Sequence, residues 1–266
     1  MSTPALLDRI ASWRWSAPRF DGRGLIPWLM DGSPIGLVSP EMAERLLQSP
    51  LFEHSPQGPR LRDGIGGPLS KSAALSVLVA ELRAEGRIPG WRDEQYDYVD
   101  EWGRIRFSLE RGAFRPLGLR SRAVHVNGLV GASGVWIARR ADTKSVDPGR
   151  LDNMAAGGVA SLESPEECVV RELAEEAGVP NLLALMAYPV GVVHSRRREP
   201  DGVHDEVLYC YDLDLPPDFA PVNCDGEVSE FVLMDAMSVA ERLGEMTWDA
   251  AAVTVDWLSR WLAGDA

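Results

Sequence analysis

Three carboxylates stand three and four residues apart at Glu172, Glu175 and Glu176. On a helix such a spacing puts them on one face, with Cβ atoms about 5–6 Å apart. Like charges that close repel. The repulsion is relieved either by water around a solvated acidic face or by a hard dication with oxygen ligands. The flanking residues specify the helix. Ser164 followed by Glu167 has the spacing of a capping box, Pro165 suits a first helical position, and Gly178 with Pro180 behind it ends the run. A helix is therefore expected over roughly Pro165–Ala177. Val169, Val170, Leu173 and Ala177 would face inward, and Cys168 would lie beside Glu172 and Glu175. A Gly-Gly pair, Gly157 and Gly158, precedes it in a loop.

The spacing extends beyond the helix. Gly157, five residues, Glu163, seven residues and then Arg171-Glu172-Leu173-x-Glu175-Glu176-x-Gly178-Val179 fits the Nudix box without a mismatch, and the chain resembles the Nudix hydrolases. The resemblance implies an α/β/α sandwich and Mg2+- (or Mn2+-) dependent cleavage of a diphosphate linked to another group. It implies that Glu172, Glu175 and Glu176 hold the metal, with Glu176 the essential ligand and the Gly157 carbonyl completing the shell. Arg171 would orient the glutamates, and Glu163 would place either Arg171 or a metal-bound water. The general base would be Glu227, with Glu172 as the alternative.

Outer segments narrow the resemblance to one Nudix subgroup. They are His125-Val126-Asn127-Gly128, Ala138-Arg139-Arg140 with Lys144, Leu151-Asp152-Asn153-Met154, Gly90–Tyr96, Glu110-Arg111 and Asp225-Gly226-Glu227-Val228. In this subgroup, which is related to thiamine pyrophosphokinase proteins of plants and fungi, the Nudix part follows a domain of unknown function. Some members remove the terminal phosphate from oxidised thiamine diphosphates, so a substrate of that kind is expected. ADP-ribose or another nucleoside diphosphate derivative is the alternative, and a non-catalytic Nudix-fold binding module is a third reading.

The remaining elements must position these groups. Residues 121–266 are expected to form the Nudix domain, and residues 1–120 an N-terminal α+β domain covering the substrate entrance. In the front part helices are expected at Leu6–Trp13, Pro40–Gln48 and Ser70–Glu85, the last with Leu75, Leu78, Val79 and Leu82 in one stripe. Leu25–Leu29 and Ile35–Val38 flank an Asp-Gly turn and read as a hairpin, whereas Ser55–Gly67 reads as loop. Trp91 and Arg92 are candidates to stack on a flat ring and grip a phosphate. In the second half Val124 and Val126, Val135–Ala138, Leu185–Val193, Glu206–Leu213 and Phe231–Met234 read as strands, and Pro189 confines the third to an edge. Arg196, Arg197 and Arg198 are expected in the loop between two of these strands, as a clamp on the distal phosphate. His125 and His194 read as core or strand-end residues. Thr247 caps a last helix.

Composition sets further limits. A net charge of −13 over 266 residues argues against nucleic-acid and anionic-membrane partners, which demand basic patches. It leaves room for a small-molecule diphosphate, because a bound cation inverts the local field. Cys168, Cys210 and Cys224 are odd in number and widely spaced, which suits a reducing cytoplasm and offers no zinc pattern. Met1–Leu7 carries no leader-like pattern, and no apolar run is long enough to span a bilayer. Oligomeric state is not written in these features.

Overall fold

A computed structural model describes residues 3–16, 19–144 and 146–264. Met1 and Ser2, the start of the expected leader-free stretch, lie outside the described residues.

The chain opens with α1 (Thr3–Ser16). Strands β1 (Ile26–Met30) and β2 (Ser33–Val38) form the expected hairpin, with Asp31 and Gly32 both at positive φ in the turn. Helix α2 (Pro40–Leu47) is capped by Ser39. Next come β3 (Phe52–Ser55) and β4 (Gly58–Leu61), antiparallel neighbours that complete a sheet ordered β2-β1-β4-β3. The expected loop over Ser55–Gly67 thus contains a strand. Gly58, at φ 143, lies against the backbone of Pro27, a close approach that leaves no room for a side chain and that composition alone reads as loop. Helix α3 (Pro68–Ala84) buries the expected stripe Leu75, Leu78, Val79 and Leu82 against Trp28 and Phe107. A separate hairpin, β5 (Gln95–Val99) with β6 (Ile105–Glu110), finishes this part.

The second part is a seven-stranded mixed sheet. Its strands are β7 (Arg120–Val130), β8 (Gly134–Arg140), β9 (Leu151–Asn153), β10 (Ala155–Gly158), β11 (Tyr188–Glu199), β12 (Gly202–Asp214) and β13 (Val228–Asp235). The order is β11-β12-β7-β8-β13, with β10 paired to β7 and β9 to β8. Helix α4 (Pro165–Ala177) covers one face, burying Val169 and Leu173 against Val124, Val126 and Tyr211, and the short α5 (Asn181–Ala184) adds Ala184 to that cluster. Helices α6 (Ala236–Glu241) and α7 (Trp248–Ala263) cover the other face, and Thr247 caps α7 as expected. The result is an α/β/α sandwich preceded by an N-terminal α+β part.

Strand β7 alternates as expected, but both of its faces are buried. His125 and Asn127 join Asn153, Asp212 and Thr254 in a hydrogen-bonded network under α7, at 2.8–3.2 Å. A polar residue inside a sandwich is tolerated when fully partnered, so His125 acts as a packing residue.

Helix α1 does not pack with the sheet that follows it. Leu6 and Ile10 are buried among Val239, Leu243 and Trp257 of the C-terminal part, so the chain's first helix completes its last layer. Arg196–Arg198 correct the expectation in another way. They lie on the edge strand β11, which runs to Glu199, and only Pro200 and Asp201 connect it to β12. Leu6→Ala should cost about 2–5 kcal/mol, the range for deleting a buried leucine side chain. Differential scanning calorimetry should show the loss in the transition of the C-terminal part, and an unchanged melt would refute this docking.

Candidate active site

The N-terminus of α4 has the capping box its sequence specifies. Ser164 accepts from the Glu167 amide while Glu167 accepts from the Ser164 amide, and Gly178 closes the helix at φ 63. This fixes the rotation of the helix and turns Glu172 and Glu176 toward strand β10, where they are 8% and 7% exposed. Glu175 is more open. The backbone of β10 makes the approach possible: a side chain at Gly157 would overlap the Glu172 carboxylate. Glu176 accepts from the Ala156 amide at 2.9 Å.

Arg171 binds this group together. Its guanidinium donates to both oxygens of Glu163 at 2.8 and 2.9 Å, to Glu172 at 2.6 Å, to Glu175 at 3.3 Å and to the Gly158 carbonyl at 3.2 Å. The Glu163 bonds hold Arg171 firmly protonated. Among the described residues Glu176 has no guanidinium partner, and the charge opposing its burial is that of the more distant Lys144. Burial, reinforced by the charge of Glu172 and only partly offset by the Ala156 amide, pushes its pKa up to about 8. Burial likewise raises Glu172, against the pull of Arg171. Cys168 lies under the loop with its thiol raised by burial, facing the Gly158 carbonyl at 3.4 Å, and behaves as a small core residue.

Glu227 lies on the loop before β13 rather than on α4, yet one oxygen each of Glu176, Asp225 and Glu227 falls within 4.8 Å of the others. Lys144 ion-pairs with Glu227 and also feels the charge of Glu176. Burial raises the pKa of Asp225 against that of Lys144. One buried carboxylate, Glu176, and two exposed ones, Asp225 and Glu227, converge through their oxygens, a donor set that fits a hard divalent cation. The sequence alone does not mark Asp225 as a ligand. The turn Asp225-Gly226-Glu227 carried the signal, but only the fold brings it to Glu176.

Beside this group lies a cavity of about 570 Å³ between the N-terminal part and the sheet. Ala156 and Gly157, which touch Glu176 and Glu172, are part of its wall, as are Arg92, Arg111, Arg115 and Arg140. Tyr96 and Phe114 line it too, their rings edge-to-face at 5.7 Å. The expected aromatic platform is therefore misplaced. Trp91 does not line the cavity; its ring is covered by the Arg83 guanidinium at 4.1 Å and its indole N–H donates to Asp93. Of the arginine run only Arg197 reaches the cavity, where Asp249 and Glu199 already engage it at 2.8 and 2.7 Å. Arg196 pairs with Asp205 and lies over Phe20, and Arg198 donates to the Arg23 carbonyl. As side chains on one strand they alternate between its two faces, so they cannot close together on one phosphate. The cluster His204, Glu206 and Asp249 also faces this cavity, but Arg197 already supplies its counter-charge.

The fold and the acidic cluster suit a hydrolase of acid anhydrides, and Glu176, Asp225 and Glu227 could together hold a divalent cation. Comparisons agree. The NUDIX domain model matches residues 119–258, and the Domain of unknown function (DUF4743) matches residues 8–121. The chain belongs to the Nudix hydrolase family and is a pyrophosphohydrolase. It is 34% identical over 245 residues to Nudix hydrolase 24, chloroplastic, of Arabidopsis thaliana, covering 88% of this chain and 67% of that one. Nudix hydrolase 20, chloroplastic, of the same plant is 32% identical over 252 residues with the same coverage. DR0079 from Deinococcus radiodurans, a solved structure, superposes with a TM-score of 0.50 at 25% identity, covering 63% of this chain and 98% of that one. Among the described residues no helix is long and apolar enough to cross a membrane.

The raised pKa of Glu176 has a consequence for stability. The folded protein holds a proton there that the unfolded chain releases above its ordinary value of 4.5. Its contribution to stability therefore falls as pH rises from 4.5 to about 8. Metal-free Glu176→Gln should melt higher than wild type at pH 8, by about 2–4 °C for each kcal/mol regained, with little difference at pH 4.5. Thermal melts with a chelator check this, and equal melting at pH 8 would contradict the burial argument.

Proposed function

We propose that this enzyme cleaves a small-molecule diphosphate with Mg2+ or Mn2+, and that the organic part of the substrate occupies the cavity under the N-terminal part. The observation that carries the proposal is the convergence of Glu176, Asp225 and Glu227, with Glu172 and Glu175 held alongside by Arg171, next to a cavity edged with guanidinium groups. Glu172, Glu175, Glu176 and the Gly157 carbonyl would hold the metal, with Asp225 and Glu227 closing the other side. Bound there, a divalent cation neutralises the anionic oxygens and acidifies a water.

The chain's own residues do the rest. Arg171, locked by Glu163, fixes Glu172 and Glu175. Glu227 stands across from α4 and is the proposed general base, with Glu172 the alternative. Arg92, Arg111 and Arg140 are the proposed phosphate contacts in place of the arginine run on β11. The part of the N-terminal segment that follows α1 would supply the cover, and the buried Tyr96 and Phe114, with Arg111 over the Tyr96 ring at 5.1 Å, would give the cavity wall its aromatic edges in place of Trp91.

For the substrate, the subgroup resemblance supports an oxidised thiamine diphosphate cleaved to the monophosphate and phosphate. A cavity mixing aromatic edges, guanidinium groups and carboxylates accommodates a polar heterocycle joined to a diphosphate. The three cysteines are unpaired, in keeping with the proposed cytoplasmic setting.

Phosphate release from a panel of oxothiamine diphosphate, thiamine diphosphate and ADP-ribose tests the reading. Activity should vanish with a chelator and return with Mg2+, and Glu176→Gln should lose at least ~100-fold in kcat, the scale for removing a key electrostatic group. A tenfold preference in kcat/KM for ADP-ribose, ~1.4 kcal/mol of transition-state binding, would reject the thiamine assignment while leaving the hydrolase intact. Arg111→Ala should raise KM about tenfold or more, whereas Trp91→Ala should leave it nearly unchanged. The reverse order would place the substrate ring on Trp91.

A further inference from the structure

Asp97 belongs to the N-terminal part, on β5, and is 2% exposed. Among the described residues three donors reach it, two of them from the loop between β10 and α4. Ser161 donates its hydroxyl to Asp97 Oδ1 at 2.6 Å, the Leu162 amide donates to Oδ2 at 2.9 Å, and Ser108 from β6 donates to Oδ1 at 2.6 Å. Beside it the Ser161 amide donates to the Gln95 carbonyl at 2.7 Å. A buried carboxyl group accepting three bonds is a strong fixed point, since removing either partner of such a bond leaves the other buried and unsatisfied.

Leu162 shows that the loop needs such a hold. Its φ is 66, a left-handed conformation that costs a non-glycine residue of order 1–3 kcal/mol. The residue is 84% exposed, so burial does not offset that cost. The bond from its amide to Asp97 does. Directly beyond it, Glu163 accepts from the Ala160 amide at 3.0 Å and grips Arg171, which in turn holds Glu172 and Glu175. Every step from Asp97 to these glutamates is a hydrogen bond or a neighbouring peptide unit.

We infer that Asp97 is a positioning residue for the metal-binding glutamates, and that the N-terminal part sets metal affinity by holding the loop that orients Arg171. The inference rests on the metal-dependent reading above. Loss of the hold frees Leu162 to leave its left-handed conformation, Glu163 moves with it, and Arg171 no longer presents Glu172 and Glu175 in one arrangement. Outer partners of this kind change metal affinity by about 10–100-fold when removed. Asp97→Asn is the sharp variant, because its amide meets the Leu162 N–H or the two hydroxyls with a donor.

The test is Mn2+ binding to the full chain by electron paramagnetic resonance, without substrate, with Mg2+ activation measured in parallel. Wild type should bind Mn2+ and Glu176→Gln should not. Asp97→Asn should bind at least about tenfold more weakly and require correspondingly more Mg2+ for half-maximal activity, with kcat largely recovered at saturating metal. Ser161→Ala, which removes one bond and keeps the carboxylate, should show the same shift at smaller size and serves if Asp97→Asn fails to fold. A purely structural role would lower the melting temperature and leave Mn2+ affinity alone. Variants that fold and bind Mn2+ within twofold of wild type, while Glu176→Gln loses it, would overturn the positioning role. Absence of Mn2+ binding in wild type would instead overturn the metal reading and this inference with it.

Discussion

Gly157 and Gly158 let one strand be gripped from two sides. On one face the Glu172 carboxylate occupies the space a side chain at 157 would need; on the other the Tyr96 hydroxyl occupies that of residue 158. The first contact brings a helix of glutamates onto the strand backbone, and the second brings the N-terminal part down onto the same strand. Cavity, carboxylates and cover all meet at β10 because it has no side chains there. A methyl group at either position would push apart two elements whose capping, core and hydrogen bonds are fixed elsewhere.

Electrostatics explains why the glutamates persist in that place. Buried acids are costly unless paired. Here Arg171 pairs Glu163, Glu172 and Glu175, leaving Glu176 with an amide and a raised pKa. The protein thus carries an incompletely compensated acid where a cation would relieve the strain. The Arg197–Asp249 pair on the other side of the cavity is closed in contrast, with charges matched within the chain. The two clusters use similar residue types, and their difference lies in whether a guanidinium already fills the gap.

How far the sequence is legible follows the range of the interactions. Helix α4 begins at Pro165 and ends at Ala177 as the capping box and Gly178 indicate, because those signals act within a few residues. The Asp31-Gly32 hairpin, the stripe of α3 and the Thr247 cap are local in the same sense. Glu163 with Arg171 follows the family spacing. What was illegible depends on distant contacts. Trp91 beside Arg92 has the composition of a ligand platform, yet Arg83, from the preceding helix, takes its face. Three consecutive arginines read as a loop, but β11 continues through them as an edge strand, where Asp205 pairs with Arg196, Glu199 and Asp249 pair with Arg197, and Arg198 donates to the Arg23 carbonyl. Leu6 and Ile10 indicate a helix without revealing that its partner lies more than two hundred residues away. Asp97 carries no local signature, and Tyr96 and Asp225, although inside family-like segments, are brought to the site only by the fold.

The central claim is that the convergent carboxylates beside Gly157, and not the other acidic cluster of the cavity, hold the metal. Anomalous diffraction from crystals soaked in Mn2+ tests it most directly. The account predicts a peak coordinated by Glu176 together with Glu172 or Glu175 and the Gly157 carbonyl, with Arg171 still bound to Glu163. A peak confined to His204, Glu206 and Asp249, with the α4 glutamates metal-free, would contradict it.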